Sequence, residues 1–412
     1  MSPEAVGGLG STAQPVDAPK RIRFPCFDGF RAIAAMSVLV THVAYLSGFN
    51  TRSALGAFTA RMDVGVAVFF LISGFLLYRP FVAARYDDRP REATGAYFWR
   101  RALRIFPAYW LALTVTIFVL HVPSEVPGAK DLLLYYSLTH LYSLGNIFGP
   151  ILSSYTLVTE IAFYVFLPLF VFALSHVGGT AERRVRIDLI ALAALFVFGV
   201  TYRVAVAYGS FGLTRMGQLE NILPGWIDVF SVGMALAVVS AWLSHRDARE
   251  PTWARLRVFP AASWSISVAL FVVLSLWIGR PRSGSPHYTF WEDLGIHYFY
   301  LAVGFFFLLP GIFGPQRAGR VRRLLQYPAV QWLGLISYGL YLWNETWLEK
   351  YVEWTGRANG VFPEPSPFWT MFLAVFALSV AAATVSYYVV ERPALRLKSL
   401  VPGWRYVPAR SG

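Results

Sequence analysis

The chain has 412 residues, 56% of them hydrophobic and 14% charged, with a formal net charge of +13 and a mean hydropathy of +0.50. A soluble domain carries about 25% charged residues, so this composition excludes an ordinary soluble enzyme and points to an all-α integral membrane protein. The positive charge does not imply nucleic-acid binding, because the arginines flank apolar runs as topology signals do.

Residues 1–23 are rich in Gly, Pro, Ala and Ser and hold no apolar core segment, so they read as a disordered cytoplasmic tail rather than a signal peptide. Cys26 is the sole cysteine, which excludes an intrachain disulfide and a cysteine-based metal cluster. The first apolar run, 28–48, contains Arg31 and His42. Eleven helical steps bring the two side chains to within roughly 20° of one face, roughly 16 Å apart along the axis. Ionisable groups inside a membrane are costly, so this pair is a functional candidate by default.

Further apolar runs fall at 63–83, 103–121, 154–175, 187–208, 222–243, 259–279, 294–313, 330–350 and 367–390. A span needs about 20 residues, so about ten transmembrane helices are predicted. The shorter run 132–145 reads as an interfacial or re-entrant segment. The membrane domain then covers 24–398, and 399–412 forms a second cytoplasmic tail. Twenty-six of the 36 basic residues fall on one side of this topology and eight on the other, with Arg31 and Arg203 inside helices. That asymmetry predicts a multi-pass plasma-membrane protein with both termini in the cytoplasm. Trp99, Tyr109, Trp110, Trp332 and Trp343 near helix ends read as interfacial anchors.

Helix direction then sets depth. Arg31 sits near the cytoplasmic edge and His42 in the outer half. Glu160, about two turns below the outer surface, falls at the depth of His42. Asn344, Glu345, Asp228, Arg203, Asp63 and His297 reach the same layer, which reads as a wet chamber opening outward. Pairing of these groups to lock helices together is the alternative, open above all for Arg203, Asp228 and His297. On the inner side, Arg101 and Arg104 are three apart and share a face. With Arg31 they form a cationic cluster suited to phosphate, although stop-transfer charge or anionic-lipid binding explains the same residues. Histidine is a general base near neutral pH, and a carboxylate can fix its tautomer. No two histidines have i, i+4 spacing and the carboxylates are dispersed, so no metal is expected. Ser73 belongs to a small-residue patch better suited to helix packing than to nucleophilic attack.

Six motifs in order resemble the membrane-bound acyltransferase-3 family. They are Arg31 through His42; Phe69-Phe70-Leu71-Ile72-Ser73-Gly74-Phe75; and Arg101-Ala102-Leu103-Arg104. Tyr155 through Glu160 to Tyr164, Ser337-Tyr338-Gly339-Leu340-Tyr341-Leu342-Trp343 and Glu391-Arg392-Pro393 complete the set. The resemblance implies transfer of an acyl group, commonly acetyl, from coenzyme A to a hydroxyl of a carbohydrate, glycolipid or macrolide. Carried onto this chain, it makes His42 the base, with Arg31 and Glu160 as its catalytic companions. Arg101, Arg104 and Arg31 would hold the acyl-CoA phosphates, and no metal is required. Glu160 either orients His42 or binds the sugar. Asp28 either steadies Arg31 or caps the first helix. Asn344, Glu345, Asp228 and Tyr155 are the candidate acceptor-binding residues. Asn344 stands where the family motif often has histidine, which suggests a different acceptor preference. A transporter or flippase of a glycolipid or polyketide fits the composition too, but the chain halves show no convincing similarity.

Overall fold

The computed structural model describes residues 24–400, apart from 124, 144–147, 210, 212, 247–258, 280–288, 314–318 and 356–367. The expected amino-terminal tail, the end of the carboxy-terminal tail and most of the connections 280–293 and 351–366 lie outside the described residues. Among the described residues there are helices and no strands.

Ten long helices carry the fold. They are α1 (Phe27–Leu46), α2 (Val64–Tyr86), α3 (Thr94–Thr114), α4 (Ser154–Ser175) and α5 (Ala181–Tyr208), then α6 (Ile227–Arg246), α7 (Pro260–Val273), α8 (Phe290–Ile312), α9 (Ser337–Trp354) and α10 (Phe368–Ser386). Among the described residues, nine segments are long and apolar enough to cross a membrane. The tenth helix, α9, is not among the nine. It carries Glu345, Glu349, Lys350 and Glu353, and a charged face of that kind is tolerated only against protein or water.

Local sequence explains the helix ends. The Thr289 hydroxyl accepts the Glu292 backbone N–H at 3.3 Å while the Glu292 carboxylate accepts the Thr289 N–H at 2.9 Å, a capping box that starts α8. Thr180 caps α5 by accepting the Arg183 N–H. Helices α3, α7 and α10 each run on into a π-helical turn: Val115–Val119, Leu274–Ile278 and Tyr387–Glu391. Such turns rotate the residues beyond them and recur at functional sites.

Helix α2 is apolar on most sides as far as Tyr78, the pattern of a helix enclosed by others, and it packs against α1, α4, α6 and α8. Its contact with α6 is close because of two glycines. A Cβ on Gly74 would lie 2.5 Å from the Phe230 carbonyl oxygen, and one on Gly233 would lie 2.4 Å from that of Leu71. Small residues let backbones approach where lipid supplies no hydrophobic drive. Helices α5 and α7 lie at the perimeter: 22% of the apolar stretch of each is buried, against 67% for α6.

The run 132–145 begins within a short helix, Ala129–Tyr136, packed beside α3. Tyr109 donates to the Tyr135 carbonyl and Trp110 to that of Tyr136, both at 2.9 Å. These aromatic side chains thus satisfy helix-end carbonyls. Trp343 departs from the anchoring expectation. It is 3% exposed and stacks near Trp347, because α9 is held inside the bundle by α1 and α10.

Gly74→Val or Gly233→Val should destabilise the bundle by about 1–3 kcal/mol or more, as overpacking does. Thermal unfolding in detergent would show a clear fall. Gly95→Ala, where an added Cβ meets nothing within 4 Å, should leave it unchanged.

Candidate active site

Two polar centres flank a cavity of about 290 Å³ between α2, α3, α4 and α9. The first centre is cationic. Helix α1 supplies Arg31 and α3 supplies Arg101 and Arg104, all lining the cavity. Asp28 bonds Arg31 at 3.3 Å and makes no helix cap, which decides between its two expected roles. The π-helical turn after α10 delivers Glu391, 2% exposed, to within 3.6 Å of Arg104. Arg104 also lies 5.7 Å from the Tyr338 ring centre. Arg101 differs. Its guanidinium stands 5.9 Å from the Tyr164 ring centre, and its buried Nε has no hydrogen-bond partner. A buried guanidinium N–H without a partner facing a cavity is a donor available to an anionic ligand.

Glu160 belongs to this cavity and not to the layer of His42. Its Oε1 accepts from Ser73 at 2.8 Å and from Tyr164 at 2.7 Å. The depth expectation fails for a geometric reason. Helix α4 begins at the level of His42, since the Ser153 N–H is bonded to Glu345, which itself contacts His42. Six residues further along α4, Glu160 lies about 9 Å deeper. The structure therefore does not place Glu160 on the imidazole. Ser73 also gains a partner: Gly74 serves the packing while Ser73 faces the cavity.

The second centre is built on His42. Its Nδ1 lies 2.8 Å from Asn344 Oδ1. The Asn344 amide nitrogen donates to the carbonyls of Tyr341 at 2.6 Å and Leu340 at 3.3 Å. The amide is thereby oriented with its oxygen toward the ring, so Nδ1 is the ring nitrogen that donates to it. Nε2 faces Glu345 Oε1 at 3.3 Å. A quarter of the His42 side chain is exposed, against 6% for Glu345. The ring therefore faces polar groups of α9, and the residues holding it are two of the four that the sequence suggested for acceptor binding.

Tyr341, one turn before Asn344 on α9, lines the cavity and joins the two centres. Its hydroxyl lies 2.7 Å from that of Thr156, across the end of the cavity nearest His42. Tyr155 stands next to Thr156, within the electrostatic reach of Glu345 and Asp63, and its ring packs edge-on to Phe148.

The other expected members of one chamber separate into two further groups. Asp63 and Arg61 both bond the Tyr300 hydroxyl. Asp228, 0% exposed, bonds His297 at 2.8 Å through Oδ2 and the Val229 N–H through Oδ1. Arg203 donates to the Gly225 carbonyl at 2.8 Å and approaches Asp293 at 3.5 Å. Asp228 thus ties α6 to α8, with each carboxylate oxygen bonded inside the protein. The residues that sequence reasoning left without a role are Glu391, Tyr164, Tyr338 and Tyr341. Each stands in a quoted motif, but only the three-dimensional arrangement shows which tyrosines face the cavity.

A family model described as an acyltransferase domain, acyltransferase-3, matches residues 24–389. The chain belongs to this acyltransferase family. It is 25% identical over 389 residues to YrhL of Bacillus subtilis (strain 168), a candidate peptidoglycan O-acetyltransferase, covering 90% of this chain and 54% of that one. It is 32% identical over 164 residues to the acyltransferase MdmB of Streptomyces mycarofaciens, covering 37% of this chain and 40% of that one. A candidate O-acetyltransferase of Staphylococcus aureus (strain COL) is 22% identical over 410 residues, with 94% and 60% covered. The chain thus spans between two fifths and three fifths of the length of these relatives. No solved structure matches it.

Outside the spanning helices, Glu220 of the short helix Leu213–Asn221 borders the Arg203 group. Burial, and then the neighbouring Asp293 charge, push its carboxyl up to about 7 against the pull of Arg203. The fold keeps this proton to higher pH than the unfolded chain, so stability is lost as pH rises from about 4.5 to 7. Glu220→Gln should raise the melting temperature at pH 8 and leave it unchanged at pH 4, as read by thermal unfolding across that range.

Proposed function

We propose that this acyltransferase-family protein moves an acyl group, acetyl in the simplest case, from acyl-CoA to a carbohydrate hydroxyl. The basic end of the bundle then faces the cytoplasm, with both chain termini on that side, as the arginine asymmetry of the loops favours. The single observation that carries the reading is the His42–Asn344–Glu345 arrangement, standing one helical turn beyond a cavity whose far end is lined by three arginines.

In this reading Arg101, whose buried Nε is unpartnered, takes a CoA phosphate together with Arg104 and Arg31. The pantetheine arm follows the cavity past Ser73 and Glu160 toward Tyr341 and Thr156. The acceptor hydroxyl approaches His42 Nε2 from the open side of the ring. Nε2 takes the hydroxyl proton as the oxygen bonds to the thioester carbonyl carbon. The carbonyl then re-forms, the C–S bond breaks, and the proton on His42 passes to the departing thiolate. Atoms and charge balance: acyl-CoA and alcohol give ester and free CoA thiol. Glu345 steadies the imidazolium that exists between the two proton transfers, and Asn344 keeps the ring in the required tautomer. The peptidoglycan named for one relative supports a cell-wall or envelope glycan as acceptor.

The test is acyl transfer from labelled acetyl-CoA to isolated cell-wall glycan by the purified, lipid-reconstituted protein. His42→Ala should lose about a hundred-fold or more in turnover while still binding CoA. Near-normal turnover would remove the assigned base. Asn344→Leu should lower turnover with little change in acetyl-CoA affinity, since it acts on the ring. Arg101→Ala should do the reverse, weakening acetyl-CoA binding roughly ten-fold while saturated turnover is largely kept.

A further inference from the structure

A second cavity, about 800 Å³, opens at the basic end of the bundle between α2, α4 and the start of α5. It follows the first along the same seam: Leu77 of α2 lines one and Tyr78 lines the other. Its inner wall is apolar, formed by Phe81 and Val82 of α2 with Val171, Phe172 and Leu174 of α4. Its rim is cationic, with Arg85, Arg89, Arg91 and Arg184 beside Asp88 and His176. Seven residues separate Tyr78 from Arg85, so charge stands about 10 Å above the apolar floor. Phe172 is 54% exposed on the outer surface of α4, so the cavity is open sideways to the lipid as well as at its rim.

The rim is a constructed feature. The Arg89 N–H reaches the Ala84 carbonyl at 2.8 Å, and Asp88 sits in the left-handed region at φ 49°. Glycine is the usual residue there because it costs least. Aspartate accepts that cost and supplies a carboxylate to Arg184. Asp188 holds Arg85, and Asp87 holds Arg89 while also accepting from His245. Among the described residues Arg91 has no hydrogen-bond or ion-pair partner. With three aspartates set against four arginines, the rim keeps a net positive charge.

We propose that this cavity binds an anionic glycerophospholipid, with its phosphate on Arg91 and Arg89 and an acyl chain along Phe81, Val82, Val171 and Phe172. The shape of the polarity decides the class of ligand. A soluble phosphate compound has no use for an apolar wall open to hydrocarbon. A zwitterionic lipid gains nothing from a rim of net positive charge. The bound lipid bridges α2 and α4, the two helices that continue into the first cavity.

The experiment uses the full chain purified in detergent, with lipid retention read by native mass spectrometry and stability by thermal unfolding. Phosphatidylglycerol should be retained several-fold better than phosphatidylcholine and should raise the melting temperature, while millimolar inorganic phosphate should not. Arg91→Gln breaks no internal pair and should cut phosphatidylglycerol retention several-fold. Val171→Trp, which fills the apolar half and spares the rim, should do the same. Wild-type retention in either variant overturns the proposal. So does equal retention of phosphatidylcholine, or equal stabilisation by phosphate alone. Acyl transfer measured in phosphatidylcholine membranes reads the catalytic proposal separately.

Discussion

An imidazole held inside a membrane bundle needs partners, and His42 finds them on a helix 302 residues away in sequence. The bond from its Nδ1 to Asn344 and the contact of its Nε2 with Glu345 join α1 to α9. Both partners are themselves held, Asn344 by the Tyr341 and Leu340 carbonyls and Glu345 by the Ser153 N–H. A buried polar network is favourable only when its members are satisfied. Two of the polar residues of α9, Asn344 and Glu345, thereby face α1 and the start of α4 rather than lipid.

The buried charges divide by what remains unsatisfied. Asp228 bonds His297 and the Val229 N–H, and Arg203 bonds the Gly225 carbonyl and Asp293, so these groups tie α5 and α6 to α8, while the buried His297 Nδ1 has no hydrogen-bond partner. Arg101, with its buried Nε unbonded, keeps capacity for something outside the chain, and the His42 ring is a quarter exposed. Arg104 is intermediate, approached by Glu391 at a distance that leaves that carboxylate without a hydrogen bond. Unsatisfied capacity beside a cavity distinguishes a ligand-binding charge from a helix lock.

Much of the architecture was legible without coordinates, because lipid imposes length and composition on every span. The run 154–175 appears as α4 with the same bounds, and Arg31 and His42 do share a face of α1. Depth was less legible. Counting turns from a nominal surface put Glu160 beside His42, yet α4 starts well inside the bundle. The aromatic residues misled in a similar way: Trp343 has the composition of an anchor and the burial of a core residue.

The sequence alone determined a many-helix membrane protein, the one-sided arginine distribution, and the residue types available for catalysis, since each follows from the cost of placing polar groups in hydrocarbon. Tertiary structure alone decided the pairings. It put Asn344 and Glu345 on His42, Glu160 with Ser73 and Tyr164, and Asp228 on His297. Such contacts depend on where each helix begins and how it is turned against its neighbours, and backbone packing at points such as Gly74 and Gly233 sets both across distances that no local spacing encodes.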